Sequence, residues 1–500
     1  MKLSLSLITS LFLLCIAQAI PTFTFTKSAI AESQNKDSIS AEEYLIRGFS
    51  NASWGKHDLA LIDFNKALKL DPNLIDALYN RGVIYLYKEQ YSLALADFDK
   101  IIKLEPSHAR AYSSRGTIYS RQRKDKLALI NFNKAVSLKK RADIYHSRGV
   151  FYSKQNKNDL ALTDFNTAIE INTNFIHAYN SRGLIYIKQD RNDLALADFN
   201  RVVELNPDFA DAFGNIGTIY DRKGKYDLAI DNYSKAIAID PNPAYAYVNR
   251  GAIYDKQGKY NLALADFNKA IAIDPNLADA YVGRGAIYIR QEQYNLALAD
   301  NNKAIAINPN QADAYVGRGV IYEEQGKYNL ALADNNKAIA IDPNLANAYV
   351  NRGIIYGKQR KYDLSLSDLN KAINISPDLY IAYLNRGDIH VLQNQHNLAI
   401  ADYSKVIDIN PNYAKAYFSR GNSYREQGKY NLAIADYSKA IQYNPNYAKA
   451  YGNLGFVYNQ QGRVNLAIAN LEKAKQLFID RDDLTSAEKT NNILRDITSQ

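Results

Sequence analysis

Few residues of this 500-residue chain are equipped for metal or nucleophilic chemistry. Six histidines stand at His57, His108, His146, His177, His390 and His396, and the sole cysteine is Cys15. No HExxH spacing places two imidazoles and a carboxylate on one helical face, and no second cysteine completes a thiolate pair. Carboxylates are abundant, but they return at a fixed interval instead of gathering at one place, and such recurrence argues for structure. The chain holds no P-loop, no GxSxG and no glycine-rich phosphate loop, its glycines falling singly in RG and QGK contexts. DPN triplets such as Asp240-Pro241-Asn242 present oxygens to calcium, yet a helix-ending turn accounts for them. No catalytic residue, cofactor site or metal site is expected, and the chain does not read as an enzyme.

The elements that would position any such group come from an internal repeat. Alignment on a recurrent Arg-Gly pair finds glycine at Gly48, Gly82, Gly116, Gly149, Gly183, Gly217, Gly251, Gly285, Gly319, Gly353, Gly387, Gly421 and Gly455. These mark thirteen units, 34 residues apart except for one step of 33. In the unit 244–277, with Ala244 as position 1, apolar or small residues recur at positions 4, 8 and 11 and again at 20, 24 and 27. Both sets have the spacing of a helix face. KQGKY supplies a turn between them and DPN ends the unit, where proline cannot continue a helix. Each copy is predicted to be a helical hairpin, with Gly251 and Ala263 letting its two helices approach closely. One hairpin cannot bury both apolar faces, so neighbours must stack.

Tyrosine at 4, glycine at 8, tyrosine at 11, alanine at 20, phenylalanine at 24 and proline at 32 resemble the tetratricopeptide repeat. The resemblance covers residues 41–481, and departs from the family pattern in using aromatics other than tryptophan at 4 and arginine at 7. It implies an all-α, right-handed superhelical solenoid of about thirteen helix-turn-helix repeats. It also implies that the first helices of successive repeats line a concave groove in which a peptide or protein partner is held.

Residues 1–31 read as a secretory signal: Lys2 precedes an apolar run, and A-x-A sites end at Ala19 and Ala31. An uncleaved membrane anchor is the alternative, and a lipoprotein fits less well because bulky residues precede Cys15. Cleavage after Ala31 would remove Lys2, Lys27 and Cys15, lowering the net charge from +9 to +7, with no thiol left. That charge is mild over a long solenoid, and nucleic acid is not an expected partner. Residues 32–40 form a polar linker. The first repeat is atypical at Asn51, Trp54 and His57, as an end repeat should be. In the thirteenth repeat Ile479 replaces the closing proline, so the helix should run on towards Asp480. Residues 482–500 are predicted to form a capping helix, with Thr485 and Glu488 as a capping box before Leu494 and Ile497.

Three further expectations concern particular positions. Arginine at 7 occurs in eleven repeats, and both repeats that lack it, at Ile216 and Leu454, also lack aspartate at 23. Pairs such as Arg250 with Asp266 should therefore form within one repeat. Asn301 and Asn335 take the place of an aromatic at position 24, which should soften the stack there. His146 and His177, at positions 5 and 2 of consecutive repeats, should be neighbours, but two ligands with no third make a poor metal site.

The partner face should comprise positions 2, 5, 9 and 12, edged by 6 and 13, because 4, 8 and 11 belong to the core. Position 5 reads Val248, Val282, Val316, Val350, Leu384 and Phe418 from the seventh repeat onward, an apolar stripe. Asn249, Asn351 and Asn385 lie beside it, and Arg222, Lys256, Arg290 and Lys358 edge it with positive charge. The pattern suits an extended, apolar and mildly acidic segment, although the valines would equally serve to pack neighbouring helices. The sequence thus reads as an exported, non-catalytic bacterial scaffold for protein or peptide partners in the cell envelope. It would meet a membrane only through an uncleaved N-terminal segment. A carbohydrate-binding or polysaccharide-export scaffold is the alternative, weakened because only Tyr79, Tyr87 and Tyr245 fall on the predicted face.

Overall fold

The computed structural model describes residues 39–498, and the predicted signal segment and most of the predicted linker lie outside them. The described residues form 27 helices and no strand. They divide into two compact units after Ile253. In each, hairpins follow one another in chain order, the two helices of a hairpin packing together and on those of its neighbours.

Each repeat has a first, or A, helix of 13 residues, such as Ala278–Arg290, and a second, or B, helix of 14 in all but the thirteenth repeat, such as Tyr294–Ile307. The turn between them always passes through one residue in the left-handed region, with φ from 57° to 72°. Glycine takes that place in six repeats, including Gly326, and Glu89, Arg123, Asn156, Asp190, Glu292, Arg360 and Asn394 take it in the others. The DPN turn is closed by its own aspartate: Asp274 Oδ1 accepts the Asn276 N–H at 2.9 Å, and Asp342 does the same for Asn344. The carboxylate therefore serves as a turn cap.

Within a hairpin the ring at position 24 lies against the glycine at position 8. A Cβ built on Gly82 would stand 3.0 Å from the Phe98 ring, so the close helix approach demands glycine. Positions 20, 24 and 27, as in Ala195, Phe199 and Val202, are fully buried. The A helix departs from its predicted core. Positions 3 and 10, such as Ala314 and Ile321, are the fully buried ones, while the tyrosines at 11 are only half-buried. An A helix is covered both by its own B helix and by a neighbouring repeat, so it buries two faces, whereas a single 3-and-4 stripe describes one.

The first helix, Ala41–Ser53, opens on a capping box between Ser40 and Glu43. The thirteenth B helix runs on to Ile479, capped at Asp480. The last helix, Leu484–Thr498, covers the C-terminal end by packing Leu494 and Ile497 against Ala467 and Leu471. Its predicted capping box is corrected: Thr485 is already inside the helix, and the Ser486 N–H is instead accepted by Asp483 at 3.1 Å. Among the described residues no helix is long and apolar enough to cross a membrane.

Candidate functional site

The arginine at position 7 does more than the sequence suggested. In at least nine repeats among the described residues its Nε and Nη2 donate in parallel to both oxygens of the aspartate at 23, at 2.5–3.0 Å. Except at Arg47, in the first repeat, its third nitrogen, Nη1, reaches back to position 25 of the preceding repeat, as from Arg284 to Asn268 at 2.6 Å. The guanidinium also lies beside the rings at positions 4 and 11 of its own helix, with Arg284 5.6 Å from Tyr281 and 6.0 Å from Tyr288. One arginine thus staples two repeats, and this use of Nη1 carried no sequence signal. The Tyr281 hydroxyl donates to the Pro275 carbonyl at 3.3 Å, and Tyr315, Tyr349, Tyr383 and Tyr417 repeat the bond. The tyrosines at position 4 are therefore committed to packing.

The predicted apolar stripe is largely closed. Val350 and Leu384 are 3% and 1% exposed and belong to the core, packed with Tyr349 and Leu369 in one case and with Tyr383 and Tyr403 in the other. Val248, Val282, Val316 and Phe418 are half-buried. Earlier repeats bury Ser113, His146, Asn180 and Gly214 at the same position. Position 5 therefore wedges between successive A helices, since these stand close enough to cover it from the side. Tyr79 reaches Ser114 of the next repeat at 3.3 Å, and the Tyr245 ring lies over Gly214, so these face tyrosines also bridge repeats.

The predicted charged edge is also altered. Arg290 and Lys358 are exposed but paired with position 12 of the preceding repeat: Arg290 with Asp255 at 2.9 Å, and Lys358 with Glu323. Arg222 directs Nη1 to the Ile187 carbonyl at 3.5 Å, and Lys256 is exposed. Of the asparagines, Asn249 bonds the Tyr233 hydroxyl, Asn385 donates to its own helix at the Ile381 carbonyl, and Asn351 is half-buried.

What the structure brings to the A-helix face instead is a set of polar relays that begin in the core. Where position 24 is tyrosine, its hydroxyl emerges between two A helices and meets a polar residue at position 9. In the first unit Tyr233 and Thr218 are 3.0 Å apart. In the second, Tyr403 donates to Asp388 Oδ1 at 2.7 Å, and Tyr437 donates to Asn422 Oδ1 at 2.8 Å. Position 6 of the next repeat joins each relay, as Asn453 Nδ2 does by donating to Asn422 Oδ1 at 2.7 Å. Burial, with the Asp388 charge next, pushes the Tyr403 hydroxyl far above its usual range, so the proton stays on tyrosine. Tyrosine at 24 coincides with a polar residue at 9 in three repeats, a signal that was present in the sequence.

His146 and His177 are neighbours, with ring centroids 6.1 Å apart. His146 Nε2 meets Ser181 Oγ at 2.9 Å, while neither nitrogen of His177 has a hydrogen-bond partner. Burial pushes the two imidazoles down to about 3 and about 4, so both are neutral at pH 7. Among the described residues no group of three or more His, Cys, Asp or Glu side chains converges to hold a metal ion.

Comparison with known proteins agrees with this architecture. Models described as tetratricopeptide repeat match residues 75–108, 177–209, 244–277 and 312–345, and, in a second form, 34–74, 142–175, 346–379 and 448–478. A model described as TPR repeat matches 217–258, 285–326, 387–424 and 421–462. No curated protein matches the chain. Among solved structures, the APC/C hetero-tetramer Cut9-Hcn1 is similar at 15% identity, covering 92% of this chain and 96% of that one with a TM-score of 0.54. A tetratricopeptide repeat protein from Parabacteroides merdae is 22% identical over 50% of this chain and 98% of that one, TM-score 0.42. YrrB, a TPR protein with an unusual peptide-binding site, is 28% identical over 37% of this chain and 95% of that one, TM-score 0.29.

Proposed function

Because the chain belongs to the tetratricopeptide repeat family, whose fold is generally a non-enzymatic interaction scaffold, we propose that it is a non-catalytic adaptor that holds a protein or peptide segment on its A-helix face. One contrast carries the reading. Buried positions 3, 8, 10, 20 and 27 repeat almost unchanged, whereas half-exposed positions 2, 6 and 9 change from repeat to repeat. Position 9 alone reads Thr218, Ala252, Ala286, Val320, Ile354, Asp388 and Asn422 along part of the chain. A constant scaffold with varied side chains on one face is the composition of a recognition surface.

On this reading the first unit offers Arg222, Val248 and Asn249 to a partner. The second offers Lys256, Val282, Arg290, Val316, Asn351, Lys358, Asn385 and Phe418, with Val350 and Leu384 as the packed floor. We read residues 1–31 as a secretory leader, and on that reading the scaffold is exported to the bacterial cell envelope. Two measurements test these statements separately. A photo-crosslinking residue at Val316 or Asn351 should capture a partner, while one at Leu330, exposed on the B helix, should not; capture from Leu330 alone would move the site off the A-helix face. Fractionation should find the full chain in the envelope and a chain lacking residues 1–31 in the cytoplasm, and equal distribution would sink the export reading.

A further inference from the structure

The A-helix face of the second unit is not uniform, and its last repeats hold a carboxylate among aromatic rings. Asp388 is the sole acidic residue at position 9 in thirteen repeats. Its Oδ1 accepts the Tyr403 hydroxyl at 2.7 Å, which anchors the carboxylate from the core side. The other oxygen, Oδ2, stands 3.9 Å from Lys415 Nζ, a loose ion pair whose partners are 52% exposed for lysine and 40% for aspartate. Tyr413 and Tyr447 occupy the residue just before an A helix, where no other repeat has tyrosine. Tyr413 meets Tyr380 edge to face at 5.2 Å, and Tyr447 lies tilted against Phe418 at 4.8 Å. Burial raises the Tyr413 hydroxyl, with Tyr380 and then the Asp388 charge adding to it, and pushes the Tyr447 hydroxyl up to about 12, with Tyr413 and then the Asp388 charge adding to it.

The geometry points to a recognition site for a cationic side chain, the guanidinium of an arginine in an extended basic segment, at Asp388 beside Tyr403 and Lys415, on the stretch of the A-helix face whose helices open at Tyr413 and Tyr447. It rests on the reading of the A-helix face as the docking surface and names what that face selects. A half-buried carboxylate with one oxygen satisfied and the other 3.9 Å from any ammonium is incompletely neutralised. A guanidinium brings two parallel N–H donors to such an oxygen edge and a flat cation to the tyrosine rings, a match that a single ammonium lacks. An acidic segment would be repelled by Asp388 and would find Arg290 and Lys358 already paired. Lys415 is the internal competitor, reaching towards the place the ligand cation takes.

That competition gives the test its sign. The probe is a fluorescein-labelled ten-residue glycine-serine peptide bearing three arginines, titrated by anisotropy at low salt against the full-length chain; its control replaces arginine by citrulline. The arginine peptide should bind about tenfold tighter than the control, and Asp388→Asn, which keeps an acceptor for Tyr403, should erase that difference. Lys415→Ala should tighten binding a few-fold, whereas a site for acidic segments would weaken. Absence of arginine-peptide binding at about 1 mM, indifference to Asp388→Asn, or weaker binding by Lys415→Ala would each overturn the pocket. A benzoylphenylalanine in the peptide separates the two levels. Crosslinks to Asn385 or Phe418 without an Asp388 effect remove the pocket and leave the docking face standing, whereas crosslinks to Leu398 or Leu432 on the B helices remove both.

Discussion

Arg284 and Asp300 form a two-pronged ion pair, Nε to Oδ2 at 2.8 Å and Nη2 to Oδ1 at 2.7 Å, across the two helices of one hairpin. The aspartate is buried and the guanidinium mostly so. Asp300→Ala would leave that guanidinium without its anion, and should cost about 3 kcal/mol, more than the ~0–1 kcal/mol of an exposed pair. Urea unfolding of the variant reads the loss; a change under about 0.5 kcal/mol would show the pair to be idle.

The same relationship predicts a gain. Asn131 stands where most repeats have aspartate, accepts from Arg115 Nε at 2.7 Å, and turns its amide back to the Leu127 carbonyl. Asn131→Asp restores the second prong and should stabilise the third repeat by about 1 kcal/mol. Slower amide exchange over residues 109–138 is the readout, and faster exchange would contradict it.

Asn301 and Asn335 are buried where other repeats place a ring. Each donates to its own helix, to the Ala297 and Ala331 carbonyls at 2.8 Å, and Asn335 Oδ1 has no partner. The lost ring burial and the orphaned oxygen should make residues 290–340 exchange faster than residues 244–277. Asn301→Phe should reverse this and add about 1–2 kcal/mol, because Gly317 leaves beside it the space that Gly283 leaves beside Phe267. Equal exchange in the two segments would show the amides to be no weak point.

His146 and His177 make stability depend on pH in a defined direction. Their folded pKa values lie below the free value of 6.5, so the unfolded chain binds protons first. Their neutral packing is fully supported above 6.5 and loses about 1.4 kcal/mol per ring per pH unit as pH falls from 6.5 towards about 4. His146→Phe with His177→Leu should flatten that slope, read as the difference in thermal midpoint between pH 7 and pH 5. An unchanged difference would place the acid sensitivity elsewhere.

Glu292 sits in the helix turn with φ of 57°, where Gly326 takes the equivalent place in the next repeat. Relief of the left-handed strain outweighs the extra freedom of an unfolded glycine, so Glu292→Gly should raise stability by about 0.5–1 kcal/mol. Gly326→Glu should lower it by a similar amount, and equal midpoints for the two variants would contradict the argument.

The repeat period, the hairpin boundaries and the glycine beneath the ring at position 24 were legible from spacing alone, since each depends on contacts inside one 34-residue unit. Even the pairing of positions 7 and 23 within a repeat could be read, from the joint exceptions at Ile216 with Asn232 and Leu454 with Asn470. What tertiary structure decided lies between repeats: the burial of Val350 and Leu384, the pairing of Arg290 with Asp255, the third hydrogen bond of arginines such as Arg284, and the emergence of Tyr403 beside Asp388. These contacts depend on the rotation and offset with which one hairpin seats on the next, and a periodic sequence presents the same pattern whatever that offset is.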